Sequence, residues 1–179
     1  MTAAPVQGED GLVLHQHDAR GVHRLTLNSP KSFNVLGEAV WGEWQRQREA
    51  IGADPTAGVL VIAAEGKAVC AGHDLKQMKA NPQLAYYQRL FAQCSKMMLS
   101  IQKLPVPVIA RVQGLATAAG CQLVAQCDLA VAAESARFGV NGIDVGLFCA
   151  TPSVPLVRNM ALKQAMEMLV TGGFIDAEE

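Results

Sequence analysis

The spacing of apolar positions changes several times along the chain. Residues 12–17 and 21–27 alternate apolar with polar side chains, which predicts two strands joined by a turn at residues 18–21. A loop follows at residues 28–31. Leu36, Val40, Trp44 and Ile51 then recur near helical spacing among Glu, Gln and Arg, and Asp54-Pro55 closes that helix. Residues 59–63 (Val-Leu-Val-Ile-Ala) form an unbroken apolar run, as expected of a buried strand. Residues 66–72 read as a loop and residues 74–79 as a short helix. Asn81 as N-cap and Pro82 in the first turn predict a long helix running to about residue 102. A strand over residues 106–112 is bracketed at its start by Pro105 and Pro107, and a small, flexible stretch follows at residues 114–120. Residues 121–126 read as helix, 128–133 as another buried strand, and 161–170 as a last helix. Strands alternating with helices imply an α/β architecture.

Composition narrows the class. The 179 residues are 50% hydrophobic and 17% charged, which suits one domain with a sizeable core and is too apolar for a disordered chain. No linker-like or low-complexity stretch divides residues 1–179, so a single domain is expected. The formal net charge is −1 and the Lys and Arg residues are scattered, so neither nucleic acid nor a membrane surface is an expected partner. No apolar run approaches membrane-spanning length. Residues 1–10 carry two acids, no Lys or Arg and no apolar stretch, which indicates no signal or presequence and makes the cytoplasm the expected compartment. Cys70, Cys94, Cys121, Cys127 and Cys149 form no CxxC pair, so they read as free, mostly buried thiols rather than a metal site or a disulfide framework. His15 and His17 share one strand face, and exposed alternation is a simpler reading of them than metal binding. No metal site is expected.

Two small-residue loops stand out. Residues 70–75 (Cys-Ala-Gly-His-Asp-Leu) and 114–121 (Gly-Leu-Ala-Thr-Ala-Ala-Gly-Cys) each lie between a predicted strand and a predicted helix. Loops of this kind bring backbone N–H groups close to a ligand, and two such groups aimed at one point stabilise an oxyanion. For each loop alone, tight packing of small residues is the simpler explanation.

Together and in this order, the loops resemble the enoyl-CoA hydratase/isomerase, or crotonase, family. Leu25-Thr26-Leu27-Asn28-Ser29-Pro30-Lys31-Ser32-Phe33-Asn34-Val35-Leu36 looks like the family's N-terminal strand and loop. Residues 66–75 look like its first oxyanion loop, 106–129 like the second loop with its helix and following strand, and 171–179 like its Thr-Gly…Ala-Glu-Glu segment. Gly-His-Asp-Leu at 72–75, Ala-Gly-Cys-Gln-Leu at 119–123 and Val-Gly-Leu-Phe-Cys-Ala-Thr-Pro at 145–152 resemble one sub-branch, the enoyl-CoA hydratase domain-containing protein 3 group. The resemblance implies a crotonase-type ββα spiral of two stacked sheets flanked by helices. It implies an oxyanion hole from the backbone N–H groups of His73 and Ala119, and coenzyme A as part of a thioester substrate with no permanently bound cofactor. Lys31 and Lys67 fall where basic residues contact the CoA phosphates, and Ser32, Ala71, Asp74 and Leu75 where the adenine end is lined. Homotrimers or hexamers are the implied assembly. Residue 179 falls inside the Ala-Glu-Glu motif, so the family's C-terminal trimerisation segment is expected to be missing.

The resemblance breaks at the carboxylates. Two Glu residues hold and deprotonate water in the family's hydratases, and they align here with Gln122 and Gly142. An amide accepts no proton at neutral pH and Gly has no side chain, while each acid–base group contributes roughly 10² to 10⁴ in rate. Asp144 is two residues beyond Gly142, and on extended backbone it would face the same side. Cys121 and Cys149, with no adjacent base in view, read as packing thiols. Three functions stay open: enolate stabilisation without a protein base, as in decarboxylation of a malonyl-type thioester; acyl-CoA binding without catalysis; and hydration through Asp144.

Overall fold

The computed structural model describes residues 11–179; the reading of residues 1–10 as free of a targeting signal lies outside them. The predicted hairpin forms as β1 (Val13–His17) and β2 (Val22–Leu27), antiparallel with Val13 opposite Leu27. β3 (Val59–Ala64) joins β2 in parallel, then come β5 (Val108–Val112) and β7 (Leu129–Ala132), giving a five-stranded sheet in the order β1-β2-β3-β5-β7. A second sheet has the order β4-β6-β8-β9 and is built from β4 (Ala68–Cys70), β6 (Leu115–Thr117), β8 (Arg137–Gly139) and β9 (Phe174–Ile175).

Three strands of the first sheet, β3, β5 and β7, each hand the chain to a short strand of the second and then to a helix. β3 leads to β4 and to α2 (Leu75–Ala80) and α3 (Leu84–Gln102). β5 leads to β6 and α4 (Ala119–Gln126), and β7 leads to β8, a 3-10 turn (Asn141–Val145) and α5 (Ala150–Asn159). α1 (Glu38–Ala53) connects β2 to β3, and α6 (Leu162–Thr171) precedes β9. This is the two-sheet ββα arrangement expected from the resemblance. The segments 66–72 and 114–120 are therefore partly strand, not merely loop. Their small residues allow backbones to meet: a Cβ on Gly114 would lie 2.1 Å from the Lys67 carbonyl oxygen, and one on Gly120 the same distance from that of Cys70.

The main core joins both sheets to α1, α3 and α4 through Leu25, Leu60, Cys70, Trp41, Met98 and Leu123. A smaller cluster under α5 and α6 contains Val140, Leu156, Met168 and Leu169. Several boundaries differ from expectation. Asn81 caps the C-terminus of α2, its Nδ2 donating to the Gln77 carbonyl, and α3 begins at Leu84 behind Gln83. α1 starts at Glu38 because Leu36 is held in an isolated bridge to His73. β5 starts at Val108, whose N–H donates to the Asp128 carboxylate, since Pro107 has no N–H to give. The strand at 129–132 is exposed rather than buried: it is the sheet's edge, paired with β5 alone, and Val131 is 65% exposed.

Candidate active site

Parallel pairing of β4 with β6 sets the loops that follow them side by side. Gly72, with φ +94°, lets the two touch: a Cβ there would meet Ala118 Cβ at 2.9 Å and the Ala119 nitrogen at 3.4 Å. Ala118 has φ 52° and ψ −121°, a conformation costing an Ala residue on the order of 1–3 kcal/mol, and its N–H donates to the Gly139 carbonyl at 2.9 Å. This twist starts α4 at Ala119, two residues before the predicted start. On the other loop, the Leu36 N–H donates to the Gly72 carbonyl and the Asp74 N–H to the Leu36 carbonyl. The His73 N–H faces the other way from that bridge. Among the described residues, neither His73 N–H nor Ala119 N–H donates to another protein group.

Both residues line a cavity of about 340 Å³. Its walls include Met78, Phe91, Val145, Leu147 and Phe148, and no Asp, Glu, Lys or Arg contributes to it. Both ring nitrogens of His73 are shut from solvent with no hydrogen-bond partner, and the ring lies edge-on to Phe91 and tilted against Trp41. Burial among these aromatic groups pushes the His73 pKa down to about 4, so the imidazole is neutral at physiological pH and too weak a base to hold a proton. Burial likewise pushes the Cys121 thiol up to about 12 and raises that of Cys149, which lines the cavity.

The residues expected at the CoA end sit on adjoining loops. Lys31 and Ser32 form the exposed 3-10 turn Pro30–Ser32, and Lys67 is exposed in the β3–β4 loop. A Cβ on Gly66 would lie 2.7 Å from Pro30 Cβ, so the two loops touch. Buried Asn34 clamps them: its Oδ1 accepts from Ser29 N–H, and its Nδ2 donates to the Glu65 and Ala68 carbonyls. Sequence reading gave Asn34 no such role, and its left-handed φ of 54° is what aims the amide inward. Ala71 links the two regions, since it lines the cavity while its N–H donates to the Phe33 carbonyl. Leu75 lines the cavity, and Asp74 caps α2 by accepting from Lys76 and Gln77 N–H.

Gln122 and Asp144 stand apart from the cavity wall. Gln122 is buried on α4, with its Oε1 unpartnered. Asp144 is exposed, and the backbone around it is a 3-10 turn rather than a strand, so the same-face argument for it does not hold. Gly142 lines the cavity, but a Cβ there would lie 2.2 Å from the Leu147 carbonyl oxygen and 2.8 Å from Cys149 Sγ. Away from the cavity, His15 is half-buried and bonded to His23 through ring nitrogens 3.0 Å apart, where exposure had been expected. All five cysteines are free, and four are buried. Among the described residues, no group of three or more His, Cys, Asp or Glu side chains could hold a metal ion.

The family model described as enoyl-CoA hydratase/isomerase matches residues 17–179. The chain belongs to that family. Within the enoyl-CoA hydratase/isomerase family, the chain is similar to mitochondrial enoyl-CoA hydratase domain-containing protein 3 of Xenopus laevis, 46% identical over 89% of this chain and 54% of the relative. The human protein of that name is 44% identical over 89% of this chain and 52% of its own length. The chain thus spans about half the length of these curated relatives. Among solved structures, an enoyl-CoA hydratase of Mycobacterium smegmatis is 56% identical with a TM-score of 0.93, aligned over 94% of this chain and 66% of that one. Human enoyl-CoA hydratase domain-containing protein 3 is 42% identical with a TM-score of 0.89, over the same shares. Crotonase-fold neighbours and the two-sheet architecture agree. No helix among the described residues is long and apolar enough to cross a membrane.

Proposed function

We propose that the chain binds acyl-CoA thioesters and stabilises the enolate form of the acyl group, without the paired carboxylates that would make it a hydratase. The observation that carries this reading is the pair of undonated N–H groups of His73 and Ala119, on two touching loops at the wall of an apolar cavity that contains no carboxylate. A thioester oxygen between them would receive two hydrogen bonds that strengthen as negative charge develops, helped by the positive end of α4. In this reading Lys31 and Lys67, exposed on adjoining loops, meet the CoA phosphates, and Ser32, Ala71, Asp74 and Leu75 line the adenine end. Coenzyme A enters in this reading as part of the substrate rather than as a resident cofactor. Gln122 and Gly142 take the places of the hydratase carboxylates. Residues 1–179 are read as one domain, and a trimer or hexamer as its assembly. The cytoplasmic location read from the sequence stays an expectation; the vertebrate relatives carry "mitochondrial" in their names.

A second reading, acyl-CoA binding with no turnover, is favoured by the low basicity of His73, which leaves the cavity without a proton acceptor. Acetoacetyl-CoA separates the possibilities, because its enolate absorbs in the near ultraviolet. Binding with a raised enolate fraction is expected of the wild-type chain. Ala119→Pro removes one donor, typically worth about 10² to 10³ in rate, and should lower the bound enolate fraction at least about tenfold. Binding with no enolate band would leave the second reading. No binding of any CoA thioester would sink both.

A further inference from the structure

One polar arrangement interrupts the apolar cavity wall. Thr117, two residues before Ala119, and Asn141 both line the cavity, and Thr117 Oγ1 is 2.5 Å from Asn141 Oδ1. Asn141 Nδ2 faces Asp144 Oδ2 at 3.4 Å. We infer that Thr117 and Asn141 are specificity-determining contacts for a hydroxyl carried by the acyl group, and that Asp144 is the positioning residue that sets their polarity. This rests on the thioester reading above and adds to it the kind of acyl group admitted.

The direction of each hydrogen bond follows from elementary donor and acceptor chemistry. An ionised carboxylate only accepts, so Asp144 draws the NH₂ end of the Asn141 amide toward itself. The amide oxygen then faces Thr117, and the Thr117 hydroxyl must spend its single proton on it. Thr117 therefore presents only lone pairs to the cavity. The second Nδ2 hydrogen of Asn141 has no partner among the described residues, so the wall offers one acceptor and one donor side by side. A hydroxyl complements that pair, since it donates to Thr117 and accepts from Asn141. A carboxylate does not: it brings acceptors only, would oppose the Thr117 lone pairs, and meets no Lys or Arg in the cavity. Gly142 lines the cavity next to Asn141, and the Leu147 carbonyl fills the space a side chain there would take, so no second polar group adjoins the pair.

Calorimetry on the full chain with butyryl-CoA and with each enantiomer of 3-hydroxybutyryl-CoA tests this. At least one enantiomer should bind roughly tenfold more tightly than butyryl-CoA, the scale of a buried hydrogen bond gained. Thr117→Val, matched in shape, should reduce that ratio to about twofold or less, whereas Thr117→Ser should keep it. Asp144→Ala frees the amide to turn over and should lower the ratio; Asp144→Asn, which donates as well as accepts, fixes the amide less firmly and should lower it by a smaller factor. A merely structural Asp144 would change both affinities together and leave their ratio alone. Equal binding of hydroxylated and plain thioesters by the wild-type chain, or a preference that survives Thr117→Val, overturns the inference while the thioester reading stands. Failure of every thioester to bind overturns both.

Discussion

The two walls of the cavity are built on opposite principles. One consists of main-chain N–H groups from His73 and Ala119, placed by Gly72 against a strained Ala118 and by the β4–β6 pairing beneath them. The other, from Asn141 to Pro152, presents side chains on a 3-10 turn and the start of α5, around a glycine that has no room for one. The first wall keeps its chemistry whatever side chains are attached, because the donors belong to the fold. The second depends on residue identity throughout, and at Gly142 the Leu147 N–H donating to the Gly142 carbonyl closes the loop over the position. On the proposed reading, electrostatic stabilisation would rest on the backbone and any acid–base chemistry on side chains.

The largest expected effect comes from trying to restore a carboxylate to the second wall. Gly142→Glu must displace the Leu147 carbonyl from a 2.2 Å contact. We expect a loss of stability of about 3 kcal/mol or more by denaturant unfolding and no gain of crotonyl-CoA hydration. Restored hydration with unchanged stability would show the second wall to be as adaptable as the first is fixed.

A smaller effect concerns His73, which contributes a side chain as well as an N–H. Burial lowers its folded-state pKa to about 4 from the ordinary histidine value of about 6.5, so in that window the unfolded chain binds more protons. Its contribution is complete above pH 6.5 and is lost as the pH falls toward 4, at up to about 1.4 kcal/mol per pH unit. His15 and His23, also lowered chiefly by burial, act in the same direction. Urea unfolding between pH 7 and 4.5 should therefore show a decline that His73→Phe flattens in part while thioester binding persists. Loss of binding in that variant would mean that the imidazole itself contributes to binding, and that the first wall is not backbone alone.

The smallest effect tests the strain in the donor wall. Ala118→Gly relieves the unfavourable φ of 52° but loosens the unfolded chain, so a net change within about 1 kcal/mol is expected. A weaker enolate signal with acetoacetyl-CoA would then report the aim of the Ala119 N–H rather than the stability of the fold.

Much of the first wall was legible in the sequence because its signal is local. Small residues between a β-branched run and a helix mark a close backbone approach, and the two loops could be located without knowing which atoms meet. The second sheet was implied by the family resemblance, but its strands were not legible in the pattern: β4, β6 and β8 are each three residues long, too short for alternation to register, and their pairing partners are distant in sequence. The exposure of β7 was misread because an apolar run carries no mark of lying at an edge. α5 escaped because Pro152 and Pro155 suggest a break, although Pro152 falls in the first turn where no N–H is missed. Asp144 was misplaced by assuming extended backbone, and the crowding at Gly142 comes from main-chain atoms at Leu147 that leave no trace in residue type.

The clamp made by Asn34 has a consequence for how such a protein diverges. A buried amide ties the Pro30–Ser32 turn to the β3–β4 loop, and both the groups it holds and the wall at His73 and Ala119 are peptide groups common to every residue. Substitutions elsewhere around the cavity can accumulate without dismantling that wall. A lineage can therefore exchange one reaction for another, or give up turnover, while a reader of its sequence still meets the same two loops.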